Sequence, residues 1–395
     1  MLGSGAGGSK KWLDTGGPAG LLCSQRSPSR TLPMKRPCLV LATVFLVALP
    51  GRTASQETPA LPTPEEYAKR AEKALALPLF SSNEPLALTL STDISWIRDE
   101  RSDEEEVEGT VTYTGADGSQ VTVPVQVRAR GNFRRDKRNC NFPPLRLNFA
   151  GKQVKGTVFE DQDKVKLVTP CHDGRDQFQQ YILQEYLVYR TFNLLTPLSF
   201  RVRLVHITYE DSNGGYDTRT LTGFLLESDE HMAERNRSTP SEWDQFHPDA
   251  MDDGQASLVS LFQYMIGNTD FSLPMFHNTV MIRSEDARYL VVPYDFDWSG
   301  VVSARYARPD PQLEISNVRQ RVYRGFCRAE ADHAGLVVRF NEVRPAIEGL
   351  YREMAELEDG QRNRVLKYYE DFYKTLNDPR QYQRKVMDEC RKALG

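Results

Sequence analysis

Apolar and polar residues alternate over 86–90, 107–113 and 121–130, and three such segments in succession commit the chain to a sheet with one buried face. The turn Gly115-Ala116-Asp117-Gly118 joins the second and third as a hairpin. Segments 145–149 and 164–168 read as further strands, as do 201–209 and 219–226, the last two separated by the hairpin turn Asn213-Gly214-Gly215. The acidic run Asp103-Glu104-Glu105-Glu106 reads as a solvated loop. Helical signals are fewer. Thr63-Pro64-Glu65-Glu66 is a capping box with proline at the first helical position, which predicts a short helix to Ala76. Phe178, Ile182, Tyr186 and Tyr189 recur at helical spacing and predict a helix over 175–195, capped by Asp173. Another is predicted over 255–266, after a polar loop over 234–254. Beyond 312 the chain reads as helical, with Leu336, Val337, Phe340, Val343 and Ile347 as a buried stripe.

Two features bear on compartment. Met34-Lys35-Arg36 precedes an apolar run over 38–49 and a small-residue stretch, Arg52-Thr53-Ala54-Ser55. These are the three parts of a secretory signal, and the run is short for a transmembrane helix, so no stable membrane anchor is expected. The reading assigns 1–33 to a non-structural upstream extension, with Met34 as the start of translation, and 34–54 to the signal peptide. Four of the six cysteines then remain, Cys140, Cys171, Cys327 and Cys390. An even number in an exported chain is compatible with two disulfides in any of three pairings. Cys140 with Cys171 and Cys327 with Cys390 would each staple a sequence-local unit, and free buried thiols fit the sequence equally. The absence of a CxxC or a histidine-rich cluster argues against structural zinc. A net charge of −4 gives no field that points to nucleic acid. Basic residues do cluster at Arg128, Arg130, Arg134, Arg135, Lys137 and Arg138, either as a solvated loop or as an anion site.

The segment over 267–300 carries the chemistry. It runs through Asn268-Thr269-Asp270, then His277-Asn278-Thr279, then a short hairpin ending in Tyr294-Asp295-Phe296-Asp297 before Gly300. A hairpin with polar groups at both ends brings Asn278 beside Asp295, and Asp270 reaches the same end from the preceding loop. Carboxylate and amide oxygens suit Mg2+ or Mn2+. One further carboxylate, orienting an acceptor hydroxyl, completes the division of labour of phosphoryl transfer.

Further motifs now carry a resemblance. Arg130-Gly131-Asn132 and Pro144-Leu145-Arg146-Leu147, followed in order by the helix from Arg175, Asp270, His277-Asn278 and Asp295-Phe296-Asp297, resemble the spore-coat protein H (CotH) kinase family and, more distantly, HipA-type kinases. The resemblance covers roughly 86–303. It implies an α+β, two-lobed atypical protein-kinase-like fold with a helical C-terminal tail, binding ATP with Mg2+ or Mn2+. It divides the chain into a linker and helix over 55–85, a kinase domain over 86–310 and a helical subdomain over 311–395. It implies Asp270 as the catalytic acid that orients the acceptor hydroxyl, Asp295 as the main metal ligand, and Asn278 and Asp297 as secondary contacts. The strand-rich part shows neither a GxGxxG phosphate loop nor a VAIK-like strand. Phosphate-binding cations are therefore sought in Lys166, Arg146 and Arg130, with Glu185 as the acid of a kinase-like Lys166–Glu185 pair. The expected function is an exported kinase, periplasmic, at the cell surface or secreted, that acts on a secreted or envelope protein or on itself. The alternative is a non-catalytic surface, coat-assembly or polysaccharide-binding module.

Overall fold

A computed structural model describes residues 61–243, 245–328 and 331–393, which belong to one compact unit over 60–395. The upstream extension and the signal peptide lie outside the described residues. The chain opens with α1 (Pro64–Ala76), whose Thr63 and Glu66 form the expected reciprocal capping box. Strand β1 (Leu86–Thr92) leads into α2 (Ile94–Glu100), a helix the sequence reading left out. Strands β2 (Val107–Thr114), β3 (Gln120–Ala129), β4 (Leu145–Asn148) and β5 (Lys164–Val168) follow. Helix α3 (Asp176–Leu195) separates them from β6 (Val202–Asp211) and β7 (Arg219–Leu226).

These seven strands close into a barrel in the order β1-β2-β3-β4-β5-β7-β6. Closure comes from a parallel pairing of β1 with β6, in which Leu88 faces Ile207; every other pairing in the barrel is antiparallel. Alternation does the sorting. Val125, Val127, Ala129, Leu145, Leu147, Val165 and Leu167 point inward into one apolar core with Leu90, Val111 and Leu225. Their neighbours Arg128, Arg146 and Lys166 therefore face outward. On β6 and β7 the outer face is apolar as well, because Leu204, Phe224 and Leu226 pack with Tyr181, Tyr189 and Phe192 of α3 in a second core.

This architecture overturns the expected two-lobed kinase-like fold. The strands form a closed barrel, fused with the helices into one mixed α/β unit. The stretch over 234–254 is likewise not a plain polar loop. It carries the end of α4 (Asp229–Arg235), a short strand β8 (Ser238–Pro240) and a 3-10 turn before α5 (Asp253–Ile266). Strand β8 pairs with β9 (Thr279–Ser284), which forms the expected hairpin with β10 (Tyr289–Pro293). Residues 312–328 are irregular and the helical tail begins only at α6 (His333–Glu353), followed by α7 (Asp359–Leu376) and a single turn, α8 (Pro379–Tyr382). Asp173 does not cap α3; it accepts hydrogen bonds from Asn141 and from the Tyr216 hydroxyl.

The acidic run is not a free loop either. Asp103 pairs with Arg135 at 2.6 Å and Glu106 with Arg128 at 3.3 Å, so part of the basic cluster is neutralised within the barrel surface. Asn236-Arg237-Ser238 has the pattern of an N-glycosylation acceptor, and its Asn236 amide donates to Pro197 O and Met232 O.

The cysteines pair locally, Cys140 with Cys171 and Cys327 with Cys390. Two disulfides fit an oxidising, extracytoplasmic compartment. Among the described residues no helix is long and apolar enough to cross a membrane. The Cys140–Cys171 bridge closes a loop of 31 residues, and Asn141 N and Phe142 N both donate to Cys171 O beside it. Replacing both of these cysteines by serine should cost roughly 2–4 kcal/mol, read as a lower urea midpoint, with a steeper slope because the uncrosslinked unfolded chain exposes more surface. A midpoint equal to that of the wild type would show that the bridge contributes nothing to stability.

Candidate functional site

Helix α5 delivers the first acid. It ends on Gly267, whose φ of 66° is left-handed, and a Cβ there would lie 2.0 Å from the Tyr368 hydroxyl oxygen. Only glycine suits this stop. The turn it makes sends Asn268-Thr269-Asp270 back across the end of the hairpin, with Asn268 Oδ1 accepting from Asp270 N at 3.0 Å. An antiparallel bridge between Ser272 and His277 folds the intervening loop. Both carboxylate oxygens of Asp270 are then held. His277 Nε2 lies 2.9 Å from Oδ1, and Asn278 Nδ2 lies 3.0 Å from Oδ2 and 2.8 Å from the Asp270 carbonyl oxygen. The Asp270 side chain remains 35% exposed, so solvent and a ligand can reach it.

The hairpin brings the second group alongside. Thr279 pairs with Pro293, and one step further Tyr294 N donates to Asn278 O at 3.0 Å. Asn278 (φ 52°) and Asp295 (φ 61°), on either side of this last rung, both adopt the left-handed conformation that asparagine and aspartate tolerate better than other side chains. Tyr189 of α3 pins the turn, its hydroxyl oxygen accepting from Asp295 N at 2.8 Å.

Asp297 is turned inward and buried. Its Oδ2 accepts from the Tyr306 hydroxyl at 2.9 Å and lies 3.9 Å from Arg134 Nη1. Arg134 is itself buried and also donates to Thr169 O. Phe133, its neighbour, packs edge-on against Trp298 at 5.2 Å, so two consecutive residues dock this loop onto the acid segment. Burial raises the Asp297 carboxyl to about 7, with the adjacent Asp295 carboxylate adding to the rise and Arg134 opposing it. Glu185 of α3 joins the cluster. Burial, then the charges of Asp297 and Asp295, push its carboxyl well above the usual range, and its Oε2 is buried with no hydrogen-bond partner among the described residues. Three carboxyls therefore share this interior with the guanidinium groups of Arg134 and Arg130.

The cations lie on the barrel wall next to these acids. Arg128, Arg146 and Lys166 occupy one register row across β3, β4 and β5. Adjacent strands are about 4.8 Å apart, so the row runs for roughly 10 Å. Arg128 is matched by Glu106, and Lys166 by Asp229 at 3.1 Å. Arg146, between them, has a buried Nε with no partner among the described residues. Burial, followed by the charges of Arg128 and Arg130, lowers its pKa. Arg130 lies where the two groups meet. Its charge acts on Lys166 and Arg146 on one side and on Glu185 and Tyr294 on the other.

The expected Lys166–Glu185 pair is not formed. Lys166 binds Asp229 of α4 and rests over the rings of Tyr294, at 5.2 Å, and Phe200, at 5.9 Å; Glu185 lies instead in the charge field of Asp297, Asp295 and Arg134. The hairpin and its preceding loop bring Asp270, Asn278, Asp295 and Asp297 to one end, as the spacing predicts. Sequence reading did not single out Arg134, Tyr306, Tyr189 or Asp229 as members of this cluster. Arg134 was visible only as one of six basic residues, and nothing in that run distinguishes the one that is buried. Among the described residues no three His, Cys, Asp or Glu side chains are arranged as a metal-binding group.

No family model matches this chain, and no curated protein matches it.

Proposed function

We propose that the protein is an exported phosphotransferase, moving a phosphoryl group from a metal-bound nucleoside triphosphate to a hydroxyl of a secreted or envelope protein, or of itself. One observation carries this reading: an accessible carboxylate, Asp270, held by both oxygens, shares a hairpin end with the Asp295/Asp297 pair, and the charge of Arg130 on the barrel wall acts on Glu185 and Tyr294 of the same cluster. Mg2+ and Mn2+ are held in such sites by one or two carboxylates together with phosphate oxygens and water, so two acids suffice and an all-protein cage is not needed. Asp295 and Asp297 supply that number. The Asn278 amide turns its nitrogen to Asp270, which leaves its Oδ1 for the same ion. A divalent ion held there by Asp295, Asp297 and Asn278 would supply positive charge against that of the phosphates.

The chain's own residues do the rest. Arg130 and Arg146 have guanidinium groups with no ion pair to a carboxylate among the described residues and bind the phosphates, with Lys166 beside Arg146 on the wall. Asp270 orients the acceptor hydroxyl and accepts its proton as the hydroxyl oxygen bonds to the terminal phosphorus and the bond to the diphosphate leaving group breaks. His277, bonded to the other side of Asp270, sets the direction of that carboxylate. The resemblance to the spore-coat protein H kinases points to the same chemistry. The rival reading, a non-catalytic assembly module, draws on the lack of a glycine-rich phosphate loop.

The test uses the protein produced under oxidising conditions, with γ-labelled ATP and Mn2+ or Mg2+. Label should transfer in the wild type, and Asp295→Ala should lose both transfer and metal-dependent nucleotide binding. Unchanged nucleotide binding in Asp295→Ala would remove the assignment. A wild type that folds yet neither binds nucleotide nor transfers label would favour the assembly module.

A further inference from the structure

A second concentration of positive charge lies where α3 runs into β6, and it shares no residue with the site above. A cavity of about 460 Å3 is lined there by Asn83, Arg190, Asn193, Arg201 and Arg235, with Leu75, Phe80 and Val202 supplying an apolar wall. The nearby acid is already spent. Glu227 is 1% exposed, and its two oxygens take the Arg235 guanidinium at 2.9 to 3.2 Å and Arg201 N at 2.9 Å. Arg235 is held by Glu227, Pro197 O and Ser199 O, which take four of its five N–H donors, and so serves as the floor of the cavity.

The other two guanidinium groups are not spent. Arg201 is half-buried, and its side chain has neither a hydrogen bond nor an ion pair among the described residues. Burial and then the charge of Arg235 lower its pKa, so Arg201 carries its proton at a cost that a bound anion would relieve. Arg190 gives one Nη1 hydrogen bond to the Tyr186 hydroxyl at 2.9 Å and keeps its remaining donors. Asn83 makes no side-chain hydrogen bond among the described residues. Three arginines against one carboxylate leave two positive charges around a small, partly apolar cavity. Its free groups are mostly donors in the planar fork that suits oxyanions.

We propose that this cavity is a binding site for a phosphate monoester group, held by Arg201 and Arg190 with Asn83, and independent of the Asp270 and Asp295 site. The chemistry is shared by free phosphate and by a phosphorylated sugar; the apolar wall of Leu75, Phe80 and Val202 provides for the body of the latter.

The experiment is calorimetric titration of the whole protein at constant ionic strength with inorganic phosphate, with a hexose 6-phosphate and with the unphosphorylated hexose. Phosphate and the sugar phosphate should bind, and the hexose should not. Tighter binding of the sugar phosphate identifies a phosphorylated sugar as the preferred source; equal affinities identify the phosphate group alone. Arg201→Gln should weaken binding at least tenfold. Arg190→Gln should do so by several fold and, as its one hydrogen bond is to Tyr186, keeps the assay informative should Arg201→Gln fail to fold. Lys374→Gln, on the exposed face of α7, should leave this binding unchanged. Wild-type protein that binds neither phosphate nor sugar phosphate overturns the proposal. So does affinity that survives in both Arg201→Gln and Arg190→Gln.

Discussion

Asp270→Ala should lower the rate of phosphate transfer by about 10²- to 10⁴-fold, the range in which a positioned general base acts. Nucleotide and Mn2+ affinity should stay close to wild type, because Asp270 faces the acceptor hydroxyl in the proposed arrangement. The loss therefore falls on turnover at saturating nucleotide. His277→Gln should show a smaller loss, since an amide can still hydrogen-bond the Asp270 carboxylate. Single-turnover transfer of label together with equilibrium binding of a fluorescent nucleotide separates the two effects. If Asp270→Ala lost nucleotide binding as well, Asp270 would belong with the metal and phosphate contacts, and the acceptor side of the proposal would fall.

The second large effect runs in the opposite direction, towards greater stability. Asp297 is buried with Asp295 and Glu185 around it, and its carboxyl is raised to about 7, against about 3.9 in an unfolded chain. A folded-state pKa above the unfolded one makes a contribution that is fully present below the unfolded value. It is lost as pH rises through the folded value. The protein should therefore lose stability from about pH 4 to about pH 7 through this carboxyl, and Glu185, shifted in the same direction, adds to the slope. Asp297→Asn is neutral throughout and can still accept from Tyr306. It leaves Arg134 with Glu185 and Asp295 as counter-charges. At pH 8 the variant should gain on the order of 2–4 kcal/mol in urea unfolding, with the advantage shrinking as pH falls and closing near pH 4. The same variant should bind Mn2+ and nucleotide more weakly, as the proposed role of Asp297 requires. A variant less stable than wild type at pH 8, or a difference that does not change with pH, would show that Arg134 already compensates the charge.

Much of the secondary structure was legible because local rules carry it. The capping box at Thr63, the alternation over 121–130 and the turn at Asn213-Gly214 depend on residues a few positions apart. The end of the β9–β10 hairpin was legible for the same reason. A two-strand hairpin fixes which residues flank its last rung, and those are Asn278 and Tyr294, with Asp295 next. The short helices α2 and α4 were missed. Each has seven residues and two buried positions, too few for a helical period to stand out from its surroundings.

The sequence by itself determined most of the strands and the longer helices, which face of the alternating strands is apolar, and that several acids would gather at one hairpin end. Tertiary structure alone decided that the strands close into a barrel rather than the small lobe of a two-lobed fold. That outcome rests on β1 finding β6 in parallel register, a pairing between residues more than a hundred positions apart that no local pattern encodes. It also decided the fate of individual charges. Arg134 and Arg135 are neighbours of the same type, yet one is buried beside Asp297 and the other forms an ion pair with Asp103 at the surface. Lys166 found Asp229, and Glu185 kept the company of Asp297 and Arg134. Burial and pairing of a charge depend on what the rest of the fold places within a few ångströms of it, and that information belongs to the packed chain as a whole.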